Sequence, residues 1–103
     1  MNNHRIPSTK AVLLNAKVLF IIKNPHKNQT AKLHVVNSHT LDHEIIDLKK
    51  SLNMCVADVV FVKAGHYFYY FELDEGTIGS EEEPFEIVVT DEAVVKEKFM
   101  YAI

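Results

Sequence analysis

Thr40-Leu41-Asp42-His43-Glu44-Ile45-Ile46-Asp47-Leu48-Lys49-Lys50-Ser51-Leu52-Asn53 is the stretch on which the fold turns. Leu41, Ile45, Leu48 and Leu52 recur at i, i+4, i+7 and i+11, a single apolar stripe at helical spacing. Thr40 suits an N-cap, because its hydroxyl can accept a free backbone N–H of the first turn. Asp42 and Glu44 suit the positive end of a helix dipole, and Lys49 and Lys50 the negative end. Asn53 suits a left-handed terminator. The spacing predicts one amphipathic helix here.

Working outward, Val18-Leu19-Phe20-Ile21-Ile22 is an unbroken apolar run between Lys17 and Lys23. Such a run predicts a strand covered on both faces and central in its sheet. Asn24–Gln29 is turn chemistry, and Lys32–Val36 reads as a second strand, so the two are expected to form an antiparallel hairpin. On the other side, Val59–Val62 reads as a buried strand and Ala64-Gly65-His66 as a turn. In Tyr67–Leu73 the alternation puts Tyr67, Tyr69, Phe71 and Leu73 on one face and Phe68, Tyr70 and Glu72 on the other. Asp74–Glu83 reads as an acidic loop, and Phe85–Val89 as a strand. Asp91–Ile103 fits either a helix face (Val95, Phe99, Ala102) or an edge strand.

Residues 1–9 are expected to be a flexible N-terminal tail, and residues 10–103 a single α+β domain: a mixed four- to five-stranded sheet packed on one main helix. With 103 residues, 48% apolar, six Phe and four Tyr, the chain has the composition of an ordered domain. Net charge is −3, so no basic field is offered to nucleic acid. The lone Cys55 cannot form an internal disulfide, which favours a reducing, cytoplasmic setting. Ala11–Ile22 is apolar, but Lys17 interrupts it and no small-residue cleavage site follows. It is also too short to span a bilayer, so no membrane role is expected. Asn28-Gln29-Thr30 matches a glycosylation acceptor and is read as chance.

The order hairpin, helix, strand, strand resembles the ubiquitin-like β-grasp fold. The residues that carry this likeness are Lys17–Val36 running into Ser38-His39-Thr40-Leu41, and then Phe61-Val62-Lys63-Ala64-Gly65-His66. Within that fold, Tyr70-Phe71-Glu72-Leu73-Asp74-Glu75-Gly76-Thr77-Ile78, followed by Ser80-Glu81-Glu82-Glu83-Pro84-Phe85, resembles the acidic segment of PB1 and CIDE-N interaction domains. Pro84 departs from that pattern, standing where those families enter a short helix. The ending Tyr101-Ala102-Ile103 is not the diglycine of a conjugated ubiquitin-like protein. The resemblance implies a protein-binding module, with a second copy of the chain as one partner.

Asp74, Glu75, Glu81, Glu82 and Glu83 therefore form the candidate acidic patch, and Phe68 and Tyr70 the candidate aromatic patch. In a head-to-tail homo-oligomer, Lys17, Lys23 or Lys32 would supply the basic face. The competing reading is a small stand-alone inhibitor, such as a toxin-immunity protein or a viral inhibitor of a host factor; it rests on size and charge alone. No enzyme is expected. Glycine-rich phosphate loops are missing, Cys55 sits in an apolar setting that makes a thiol inert, and no Ser-His-Asp set follows from spacing. Asp74–Glu83 lacks EF-hand ligand spacing. His34, His39 and His43 could in principle hold zinc, but no HExxH or cysteine pair accompanies them. No cofactor or metal is expected.

Overall fold

A computed structural model describes residues 10–23, 25, 28–91 and 99–101. The expected tail, residues 1–9, lies outside them. The elements are β1 (Lys10–Leu13), β2 (Lys17–Lys23), β3 (Ala31–Asn37), β4 (His43–Asp47), β5 (Lys49–Ser51), β6 (Met54–Val60), β7 (Gly65–Leu73), β8 (Gly76–Ile78), β9 (Phe85–Thr90) and β10 (Phe99–Tyr101). One sheet has the order β1-β9-β7-β3-β4, with β8 on the side of β7; the other has the order β10-β2-β6-β5. Most neighbours are antiparallel, but β1 runs parallel to β9 and β10 parallel to β2.

The expected α+β, β-grasp-like arrangement is therefore corrected. The described residues contain strands and no helix. Leu41–Leu52 instead forms β4 and β5, with Leu41, Ile45 and Leu52 71%, 57% and 89% exposed. Only Leu48 of that stripe packs on the core, and it does so beside Ile46, two residues away, at the spacing of a strand. Two local causes prevent the helix. Asn37 closes a turn, its Oδ1 accepting from the backbone N–H of His39 (2.8 Å) and Thr40 (3.0 Å), and Thr40 Oγ1 accepts from Asp42 N–H at 3.3 Å within the same turn rather than at the head of a helix. Leu41 and Leu52 then take φ of 67° and 53°, left-handed backbone that an α-helix cannot contain. The tertiary cause is β3, whose outward main-chain groups gain a partner in β4, Leu33 facing Ile46 and Val35 facing Glu44.

The expected hairpin is also corrected. β2 and β3 lie in different sheets, as do β6 and β7. Both connections cross from one layer to the other. β2 does hold a central place, between β10 and β6, and Val18, Phe20, Ile21 and Ile22 are all buried. Of the open C-terminal stretch, Phe99–Tyr101 is an edge strand; residues 92–98 and 102–103 lie outside the described set.

The inner faces of the two sheets meet in one core. Phe20 of the smaller sheet sets its ring edge-on to Tyr69 (centroids 5.2 Å) and Phe71 (6.4 Å) of the larger. Phe20, Leu33, Phe71 and Ile87 are wholly buried, and burying each stabilises the fold by about 1.5–3 kcal/mol. Burial also pushes the Tyr69 hydroxyl up to about 12. No helix among the described residues is long and apolar enough to cross a membrane.

Candidate functional site

With Tyr67, Tyr69 and Phe71 committed to the core, strand alternation sends Phe68, Tyr70 and Glu72 to the outer face of the larger sheet. Register places His34 of β3 directly opposite Tyr70, and Ile45 of β4 beyond it. The His34 ring stacks on Tyr70 at 4.5 Å between centroids and 6° between planes. Its Nε2 lies 2.8 Å from Glu72 Oε1, and its Nδ1 lies 2.9 Å from His43 Nε2. The carboxylate can only accept, so His34 donates to it from Nε2, while Nδ1 and His43 Nε2 share one hydrogen whose direction follows the tautomer. This chain of three side chains fixes both imidazoles and the Tyr70 ring.

Gly79, at φ 74°, lays the following loop against this surface; a Cβ there would come 2.9 Å from the Phe85 ring and 3.2 Å from Tyr70 Cβ. The close approach brings Glu81 and Glu82 over the aromatic strand. With His34, Tyr70 and Glu72 they line a shallow open hollow of about 480 Å³. Partial burial raises the Tyr70 hydroxyl's pKa, and Glu81, Glu72 and Glu82 raise it further. The phenol thus stays protonated amid three carboxylates, an environment that attracts a cation. The neighbouring cation, Lys32, is already paired with Asp47 at 3.0 Å.

The residues expected to bind a partner are not all gathered here. Phe68, Tyr70, Glu81 and Glu82 share the outer face of the larger sheet or the loop over it. Asp74 and Glu75 form the two-residue turn of the β7–β8 hairpin. The Asp74 carboxylate accepts from the backbone N–H of Thr30 (3.2 Å) and from the Thr30 hydroxyl, which holds its pKa below the ordinary value. Asp74 therefore serves the fold. Glu83 lies in the next tight turn, where its N–H donates to Ser80 Oγ at 3.0 Å. Lys17 and Lys23 stand at opposite ends of β2 in the other sheet, about 20 Å apart at strand rise. They cannot form one compact basic patch. A neighbouring hollow of about 560 Å³ includes Lys32, Asp47 and Asp74; their pairings with one another and with Thr30 already satisfy those groups, so the Tyr70 hollow is the better site.

The sequence reading missed the pairing of His34 with Glu72 and of His66 with Glu86 (3.0 Å). The signal was present: His34 and Glu72 fall at outward-facing positions of adjacent strands. His66 also meets Ser38, whose Oγ lies 3.0 Å from Nδ1. The row Ser38–His66–Glu86 has the residue types of a hydrolytic triad. However, the hydroxyl donates to the His66 carbonyl oxygen at 2.8 Å, so its proton is not offered to the ring. Cys55 is buried, and burial pushes its thiol's pKa up, the wrong direction for a nucleophile. Among the described residues no group of three or more His, Cys, Asp or Glu is arranged to hold a metal ion. The chain matches no protein-family model, no curated protein and no solved structure.

Proposed function

We propose that this chain is a non-catalytic protein-interaction domain that receives a basic segment of a partner on the outer face of its larger sheet. One observation carries the reading: Tyr70, held rigid by His34, is ringed by Glu72, Glu81 and Glu82 in an open hollow. A guanidinium or ammonium group entering there meets carboxylates on several sides and a phenol oxygen that can accept. Phe68, half-buried on the same strand, adds apolar contact area. Carboxylates of this kind speed encounter and set register, and the aromatic anchor contributes affinity.

Titration of the full chain with fluorescent arginine-rich and acidic peptides, by anisotropy at low and high salt, tests this. Arginine-rich peptides are expected to bind, more weakly as salt rises. The double reversal Glu81→Lys, Glu82→Lys should weaken binding at least about tenfold, or ~1.4 kcal/mol, with the far-UV dichroism unchanged. Equal binding by the reversed protein would remove the proposal.

A further inference from the structure

Every open sheet leaves edges, and most edges here carry some protection. β5 is three residues long and holds Lys49 and Lys50; β10 is also three residues long, and β1 begins at Lys10. Lysines and short length are the usual guards against strand pairing between molecules. β4 is longer: it has five residues, ends the larger sheet among the described strands, and carries no lysine, proline or glycine, its charges being the acids Glu44 and Asp47.

Its hydrogen-bonding phase is fixed at both ends. Asn37 N–H donates to Asp42 O at 2.9 Å, and Leu48 N–H donates to Ala31 O at 3.0 Å. Antiparallel alternation then turns the main-chain groups of Glu44 and Ile46 toward β3, and those of His43, Ile45 and Asp47 toward the open edge. Ile45 also exposes 57% of its surface there.

We infer that β4 is a self-pairing edge, joining two copies of the chain antiparallel about a two-fold axis through Ile45. In that register Ile45 faces Ile45 of the second copy, and His43 faces Asp47 at both ends. All three open residues find partners, giving about six main-chain hydrogen bonds. Side-chain chemistry agrees with the register: it sets the His43 ring, already held by His34 through Nε2 at 2.9 Å, beside the Asp47 carboxylate of the second copy, which can only accept. Asp47 keeps a second oxygen for Lys32, 3.0 Å away.

Glu44 selects this register. It lies on the inward-facing side of β4 and is exposed. In the two-fold register it faces Ile46 of the second copy. A slip of two residues one way sets Glu44 against Glu44, a like-charge pair. It also puts Asp47 opposite the left-handed Leu41. The opposite slip places His43 against Lys49, which has already crossed to the other sheet, and sets Ile45 against Asp47. The self-complementary pattern His43-Glu44-Ile45-Ile46-Asp47 thus fits one isologous pairing. This edge adjoins the Tyr70 hollow at His43, which is bonded to His34 and lies edge-on to Tyr70 at 6.5 Å between centroids, but it does not include Glu81 or Glu82.

Light scattering after size exclusion on the full chain tests the inference. The mass should be twice the 11.8 kDa chain. Ile45→Lys puts two ammonium groups on the axis and should return the mass to one chain with unchanged far-UV dichroism. An equimolar mixture of Ile45→Lys and Ile45→Glu should recover the dimer, whereas Glu81→Lys with Glu82→Lys should leave the mass doubled. Amide exchange supplies a readout that needs no variant: the N–H groups of Ile45 and Asp47 should be protected in the dimer and lose that protection on dilution. A wild-type mass of one chain at every concentration overturns the inference. So does a dimer that Ile45→Lys leaves intact, or one that the Glu81 and Glu82 reversals dissociate.

Discussion

At the scale of single residues, the acidic string divides by what each carboxylate touches. Asp74 is the one bound to backbone: it clasps Thr30 across the end of β3 and the β7–β8 turn. Its pKa is lowered in the folded chain, by the hydroxyl hydrogen bond first and the backbone bond second. A depressed carboxylate contributes stability that is fully present above its unfolded pKa and is lost as pH falls through the folded one. The melting temperature of the wild type should therefore fall with acid below about 4, and Asp74→Asn, which cannot titrate, should show a shallower fall. Parallel acid-side slopes in thermal melts of the two proteins would show that the clasp contributes nothing. This role was not legible in the sequence. Asp74 and Thr30 are far apart in the chain, and a run of acids looks alike whether it faces solvent or ties a turn.

At the scale of elements, alternation was the reliable signal and helical spacing the misleading one. Tyr67–Leu73 was read correctly because each inward position is aromatic or leucine, and the structure buries Tyr67, Tyr69 and Phe71. The strand expected at Phe85–Val89, observed as Phe85–Thr90, and the central place of β2 followed from β-branched and apolar runs. Leu41, Ile45, Leu48 and Leu52 mimicked a helix because a sheet edge tolerates exposed apolar side chains, and two of the four leucine and isoleucine positions sit in turns. The adjacent Ile45 and Ile46 were the local argument for a strand. Leu52 opens the β5–β6 turn, with Ser51 facing Met54 across it, and adopts positive φ while almost fully exposed. A β-carbon in that backbone region costs about 1–2 kcal/mol, and asparagine tolerates it better. Leu52→Asn should therefore stabilise the chain by up to about 1 kcal/mol in urea melts; a loss of stability would mean that Leu52 is held by a contact that its exposure does not reveal.

For the whole molecule, the two layers share a single core rather than each having its own. Phe20 and Phe71 touch across the interface, so removing either ring opens a cavity lined by both sheets. Phe20→Ala and Phe71→Ala should each cost about 3–5 kcal/mol, seen as one cooperative transition in both tyrosine fluorescence and far-UV dichroism. Two separated transitions would show that the sheets hold together independently. The candidate site depends on this core, because only a strand anchored by Tyr69 and Phe71 presents Phe68 and Tyr70 so firmly on the other side. The acids and aromatics of the site were legible as a list; their division between two faces and two turns was not, because it depends on which strands share a sheet.

β1 pairs with β9 and has no other neighbour among the described strands. β1 is synthesised well before β9, so its backbone groups must wait for that partner to be satisfied. The larger sheet thus closes at this end only once Phe85–Thr90 has been made, and a nascent chain that stalls before Phe85 carries β1 without its sheet neighbour.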